Sequence, residues 1–472
     1  MANFFTSKQT RGFLLIWFGQ FLSIIGSGMT SFVLAIWSYQ KSWSTGHFST
    51  IVLAASLPGI LIGPFAGALV DRWDKRRTMI AAVVGQAIST LGLAALFATN
   101  QIDSYWQIYP AIILIAVCGA FQWPALSAAW AVLVPKEYYS QSGALWQLNQ
   151  AAVMILSPLL AVALMPYVKI QGIVLFDALS YTFAIVTLIL VYIPPIPKDE
   201  STDTAVETGG PVLVFLRQVA QGWLYIKARP ALLQLLAYSL VFNLVLDMVQ
   251  IVVMPLAVKG GTPGRLAGIM AASALGMVVG SVGMAAWSGP QRRITGVLGS
   301  GVISGLALAA AGPLQNPYLV AGAFFCFTLC IPAGQTSAAA IWLSKTARDL
   351  MGRVTATTNM LTQLCFPLGC FIAPILTDRV FGPILAPQGL LAGTIVGTIY
   401  GVGEQRGVAL LLTVMGGTTI LAAVVAWASS TVRNIERDLP DISEPEPEPE
   451  PETLTSPDLI MTNQAAAGGE NT

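Results

Sequence analysis

Two carboxylates stand inside long apolar runs of this chain, Asp177 in GIVLFDALSYTF and Asp247 in VFNLVLDMVQIVV. A carboxylate among aliphatic neighbours is costly to keep charged, so each is expected to face protein or a watery cavity, and each is a candidate for taking up and releasing a proton. Asn243 lies one turn before Asp247 and Gln250 almost one turn after it, so the three share a helix face. They read as a proton site or a contact for a bound molecule, or else as a carboxylate that ties helices together. For Asp177, near the end of its run, capping or packing with Ser180 is the first reading and a proton site the second. A third acid, Asp71, ends the glycine-spaced run GPFAGALVDRWDKRR (63–77) and is followed at once by Arg72, Lys75, Arg76 and Arg77.

The remaining polar side chains at depth in apolar runs are neutral. Gln20, Gln122, Gln147, Gln150, Asn359 and Gln363, with the indoles Trp123 and Trp146, are candidate contacts for a large, uncharged or amphipathic ligand. A phosphate or sugar acid fits badly, because no Lys or Arg accompanies them. Any single one of these residues reads more often as glue between helices than as a ligand contact. Metal chemistry is not expected: Cys118, Cys326, Cys330, Cys365 and Cys370 all fall in apolar segments, and His47 is the one histidine. No glycine-rich loop ending in Gly-Lys-Ser/Thr appears, which disfavours an ATP-driven pump. No base–nucleophile constellation supports a membrane enzyme, and no cofactor is implied.

The elements that must position these residues are membrane helices. The chain of 472 residues is 55% apolar and only 10% charged, against about 25% charged for soluble domains. A hydrocarbon layer of about 30 Å needs roughly 20 apolar residues per helix. Such segments recur at 12–37, 47–70, 77–98, 105–134, 142–165 and 170–193, and again at 231–256, 266–288, 295–312, 318–343, 355–377 and 406–429. The expected domains are a cytoplasmic N-terminus (1–11), a six-helix bundle (12–193), a linker (194–230), a second six-helix bundle (231–430) and a tail (431–472). With the N-terminus in the cytoplasm, 18 of the 24 Lys and Arg fall on the cytoplasmic side, which places both termini inside by the positive-inside bias. No small-residue cleavage site follows an apolar core near the start, so no removable leader is expected.

Within the linker, Val212, Phe215, Val219, Trp223 and Ile226 recur at three- and four-residue spacing, the pattern of a helix lying on the inner leaflet. The tail carries SEPEPEPEPE, which cannot bury apolar surface and reads as a disordered, solvated acidic segment. Its acids hide a basic body, but those basic residues are scattered over short loops, so nucleic acid is not an expected partner. The two halves resemble each other: at an offset of 209 Gly143 meets Gly352, Gln150 meets Asn359 and Pro158 meets Pro367, and Arg76–Arg77 falls on Arg292–Arg293 at 216. Each basic pair follows a glycine-spaced segment, Gly63 and Gly67 or Gly276 and Gly280. Weak six-helix repeats are typical of transporters that rock two halves about a central site.

GALVDRWDKRR (67–77) resembles the signature between the second and third helices of the major facilitator superfamily, with Asp74 where most members have a second glycine. QFLSIIGSGMT (20–30), WPALSAAWAVLVPKE (123–137), QGWLYIKARPALLQLL (221–236) and GRVTATTNMLTQLCFPLG (352–369) are similar to its branch of multidrug, macrolide and siderophore (enterobactin) exporters. The resemblance covers about residues 10–433 and implies an all-α membrane protein of 12 helices in two pseudo-symmetric bundles. It also implies a cytoplasmic gate. Gly63 and Gly67 would let helices approach closely, and Asp71 would face the positive start of the eleventh helix, with Arg353 as a second partner; Arg72, Arg76 and Arg77 join the gate or only fix topology. Two departures stand out: SPLLA (157–161) replaces a glycine-rich G-P-x-x-G-G, and residues 106–134 hold no arginine, so direction and coupling are not read from those motifs. The expected function is proton-coupled efflux of small amphipathic compounds across the cell membrane, by a monomer in the lipid bilayer. Import or facilitated movement of a nutrient or lipid, and a non-transporting scaffold using the tail, are the alternatives.

Overall fold

Helix boundaries in the computed structural model follow the hydropathy breaks closely. It describes residues 11–99, 102, 104–134, 139–191, 211–258, 263–287, 290–347, 350–403 and 406–438. The first half begins with α1 (Arg11–Ser42), α2 (Thr45–Arg72) and α3 (Lys75–Ala98). A 3-10 turn at Tyr105–Gln107 leads into α4 (Tyr109–Leu133). Tyr139–Leu190 then forms a single helical run of 52 residues, broken at Lys169, where φ is 57° and ψ is −175°. A straight helix of that length would reach about 78 Å, more than twice the hydrocarbon thickness. Its two limbs, α5 before Lys169 and α6 after it, are therefore two crossings joined by a one-residue break, not by the short loop expected at 166–169.

The amphipathic linker helix is α7 (Pro211–Lys227). The second half continues with α8 (Pro230–Val258), α9 (Pro263–Trp287) and α10 (Arg293–Ala311). Its fourth crossing is divided into α11 (Pro317–Leu329) and α12 (Ile331–Lys345), because Pro332 has no amide to return to the Thr328 carbonyl. Next come α13 (Met351–Pro374), a π-helical turn at Ile375–Phe381, and the short α14 (Gly382–Ile384) and α15 (Ile395–Tyr400). The last crossing is α16 (Arg406–Ala428), followed by α17 (Ser430–Arg433) and α18 (Ile435–Asp438). Eleven stretches among the described residues are long and apolar enough to span a bilayer, and counting the broken run twice gives the 12 crossings. All backbone polar groups in such spans must be satisfied internally, which helices do.

The tail boundary needs correction. Residues 431–438 are helical, not disordered, because Val432 and Ile435 are buried and the Glu436 carboxylate accepts the Arg293 amide at 2.6 Å, capping α10 from outside. In the first half the corresponding helix is capped by its own residue: Asp74 accepts the Arg77 amide at 2.7 Å. The repeat thus keeps the cap and changes its source. Linker residues 194–210 and the acidic stretch from 440 lie outside the described residues.

Packing between helices relies on close backbone approach. A Cβ on Gly276 or Gly280 would fall 2.3 and 2.1 Å from the carbonyl oxygens of Phe325 and Leu329, so α9 lies directly on α11. Buried side chains form clusters whose distribution fixes the shape. One cluster joins both halves at a single end: Met29, Val33 and Ile36 of α1, Val249 and Val252 of α8, Phe324 of α11, Ala373 of α13 and Leu412 of α16. At the opposite end, where α2 turns into α3, the clusters are separate. Ile16, Val70, Met79 and Leu188 belong to one half; Leu232, Leu298, Val354 and Val432 belong to the other. Among the described residues the halves share a core at the α1–α2 end and keep their own cores at the α2–α3 end.

Candidate functional site

Between the halves lies a cavity of about 520 Å³. α1 contributes Gly28, Ser31, Phe32 and Ala35, and α5 contributes Val153, Met154, Ser157 and Pro158. From the second half come Gln250, Val253 and Met254 of α8, Met270, Ser273 and Met277 of α9, Phe324, Phe327 and Thr328 of α11, and Phe366 of α13. Among the described residues the lining is apolar and rich in Met and Phe, with hydroxyls and one amide and no charged side chain. Methionine adapts its shape to irregular partners.

Of the candidate ligand contacts, Gln250 reaches this cavity. Its Nε2 donates to Asp247 Oδ1 at 3.4 Å, which links the cavity wall to the carboxylate behind it. Asp247 is half-buried at the crossing of α8 and α13, where a Cβ on Gly369 would sit 3.4 Å from its own Cβ. Asn243 turns back into its helix, donating from Nδ2 to the Ser239 carbonyl at 2.8 Å. Gln20 and Gln122 come together as a pair, Gln122 Nε2 donating to Gln20 Oε1 at 2.8 Å; this ties α1 to α4, and the Gln20 amide nitrogen is buried with no further acceptor. Trp123 stands edge-on to Trp130 at 6.3 Å within α4. Asn359 and Gln363 are exposed on α13. None of these six lines the cavity. The side chains of Trp146, Gln147 and Gln150 lie outside the described residues.

Asp177 is built into the first half. It is 2% exposed and accepts the Ser27 hydroxyl at 3.0 Å, and Ser27 Oγ in turn lies 2.9 Å from Tyr181 OH. Its position is forced by the α1–α6 contact, since a Cβ on Gly26 would fall 2.8 Å from Ser180 Oγ and 3.0 Å from Asp177 Oδ1. Ser180 Oγ donates to the Asp177 carbonyl at 2.7 Å. Its described contacts are those of helix packing, and it is not among the residues that line the cavity.

At the expected gate, Gly63 and Gly67 do not sit in a close helix contact. Among the described residues nothing lies within 4 Å of a Cβ on either, in contrast to Gly276 and Gly280 of the second half's glycine-spaced segment. Among the described residues no close helix contact forms at Gly63 or Gly67, at the end where the two halves keep separate cores. Arg76 is committed elsewhere, its Nε donating to the Leu188 carbonyl at 2.9 Å and its Nη2 to that of Ile189, so it caps the end of α6. Lys75 Nζ donates to the Val70 carbonyl at the end of α2. Arg77 is exposed at the start of α3. Arg353 lies in the first turn of α13, where its carbonyl accepts the Thr357 hydroxyl at 2.8 Å and is covered by Gly222 of α7. The side chains of Asp71 and Arg72 lie outside the described residues.

The opposite end carries a contact that sequence reasoning did not single out. Asp378, in the π-helical turn after α13, accepts the Thr45 hydroxyl at 2.9 Å, the Gly46 amide at 3.3 Å and the Ser44 hydroxyl at 3.4 Å. A second cavity of about 280 Å³ borders it, lined among others by Tyr39, Trp43, Thr377 and Val408.

A model of the Major Facilitator Superfamily matches residues 16–374. The chain belongs to that superfamily, a family of membrane transporters, which sets the membrane-enzyme alternative aside. Among curated proteins it is similar to Macrolide efflux protein A of Streptococcus pyogenes, 25% identical over 78% of this chain and 90% of that one. The protein of the same name from Enterococcus faecalis is 26% identical over 68% of this chain and 99% of its own length. A solved bacterial homologue of the human lysosomal transporter Spinster, in an inward-facing and unoccupied conformation, superposes with a TM-score of 0.66 at 14% identity, covering 93% of this chain and 100% of that one. That likeness shows the shared fold.

Proposed function

We propose that the chain is a secondary exporter that carries small amphipathic or hydrophobic compounds across the plasma membrane by alternating access, in exchange for protons. The observation that carries this reading is the uncharged cavity between the halves, lined by Met154, Met254, Met270, Met277, Phe32, Phe324 and Phe327. An ionic nutrient would be bound there without a counter-charge, whereas an apolar cargo gains from area removed from water at about 25 cal/mol per Å². The macrolide efflux proteins among its relatives make macrolides the first cargo to test; anionic siderophores fit the lining less well.

Asp247 is the proposed proton-linked group, because Gln250 connects it to the cavity wall. Binding of cargo against Gln250 and protonation of Asp247 then compete through one hydrogen bond. In orientation, both termini and the α2–α3 turn face the cytoplasm, α7 rests on the inner leaflet, and the unit is a monomer. Asp71 would meet the first turn of α13 when the halves close on that side. Efflux assays with and without a proton uncoupler test the proposal: macrolide retained equally in both conditions, with and without the protein, would sink it. Inverted and right-side-out vesicles separate export from import.

A further inference from the structure

We propose that Asp378 is the latch that shuts the mouth at the α1–α2 end, holding the two halves together by capping α2 from the opposite half, and that its release is a step of the transport cycle.

The contact is made of parts that belong to different halves. Thr45 and Gly46 open α2 and Ser44 is its N-cap residue, whose own hydroxyl already accepts the Gly46 amide at 3.2 Å. The first amides of any helix lack partners within it and carry partial positive charge. Asp378 supplies a full negative charge there, from a residue more than three hundred positions away, and takes two hydroxyl donors and one amide.

Local backbone on both sides is shaped for the meeting. α1 reverses into α2 through Trp43, a non-glycine residue at φ 51°, and this brings the start of α2 across the top of the cleft. On the other side α13 widens into the π-helical turn Ile375–Phe381, a geometry that displaces side chains from their ordinary helical register. Asp378 is the acid of that turn.

Reversibility follows from exposure. Asp378 is exposed and borders the cavity of about 280 Å³, so its carboxylate can be hydrated as soon as it leaves α2. A fully buried carboxylate would strand a charge on opening. Thr45 is 1% exposed, which shields the strongest of the three bonds while the mouth is shut. The arrangement is the inverse of the expected gate at the other end: there an acid closing α2 would face the start of α13, and here an acid beyond α13 caps the start of α2. One latch engaged with the other open is what a two-state rocking element needs.

Hydrogen exchange on the full chain in lipid nanodiscs tests this, comparing wild type with Asp378→Ala, Asp378→Asn and Thr45→Val. The proposal rests on the transport reading above, so wild-type transport is measured in the same preparation. Asp378→Ala is expected to raise exchange at amides 44–50 by about tenfold, the scale of a hydrogen bond to a charged group, and to lower exchange at amides 60–77 as that end closes. Asp378→Asn and Thr45→Val should move both regions the same way by less, and combining Thr45→Val with Asp378→Ala should add nothing to Asp378→Ala alone. A change confined to 44–50, with 60–77 unaltered, would mean a local cap only and overturn the latch. A wild type that moves no cargo fails the transport reading instead.

Discussion

Three carboxylates, Asp177, Asp247 and Asp378, differ in what surrounds them, and different roles are proposed for them on that ground. Asp177 is sealed between α1 and α6 by Ser27, with Tyr181 beyond it. Replacing it with Ala removes a hydrogen bond to a charged group, worth about 1.5–3 kcal/mol, and leaves the Ser27 hydroxyl with Tyr181 as its partner. The expected result is a lower melting temperature with transport per folded molecule unchanged, checked by thermal unfolding in detergent beside a vesicle assay. Asp247 is half-buried behind Gln250. Asp247→Asn is expected to abolish cargo-driven proton flux while leaving the protein folded, and Gln250→Leu, which removes the hydrogen bond between cavity wall and carboxylate, to weaken cargo binding severalfold and to lower flux per cargo. Both are read from pH-sensitive dye signals in vesicles. Equal coupling in wild type and Asp247→Asn would remove that residue from the proton path.

At the scale of the helices, sequence reasoning placed the crossings well and the side chains around the cleft poorly, and the causes are physical. Crossings are set by hydropathy and by breakers such as the turn at Trp73–Asp74, both local in sequence. Cavity walls depend on how each helix is rotated, and a face toward lipid is as apolar as a face toward an apolar cargo. Met154, Met270 and Met277 therefore gave no signal. Gln20 and Gln122 gave a strong one and proved to be each other's partners. Asp378 lies one residue past the apolar segment 355–377, and its partner Thr45 is brought to it only by the fold. The glycine pairs give a test here. Gly280→Leu should drive a side chain into the Leu329 carbonyl and prevent accumulation of folded protein, whereas Gly63→Leu has open space in this conformation and should fold normally. If the parted end must close during the cycle, Gly63→Leu should nevertheless lose most transport. Expression with size-exclusion profiles reads the first effect and vesicle uptake the second.

For the whole molecule, the decisive feature is one shared core at the α1–α2 end and two separate cores at the other. Among the described residues the cavity lies between halves that share a core at one end, and its described walls belong to crossings. The cores and the cavity described above are formed by residues before 440, so deleting residues 440–472 is expected to leave transport rates unchanged; a large loss would revive the scaffold alternative. The central claim is that this machine spends a proton gradient to move an uncharged cargo outward. Inverted vesicles containing the purified chain, given an acidic interior and a radiolabelled macrolide outside, test it most directly. Uptake that exceeds equilibrium, collapses with an uncoupler and vanishes in Asp247→Asn is the predicted result. Uptake that stops at equilibrium whatever the gradient would contradict it.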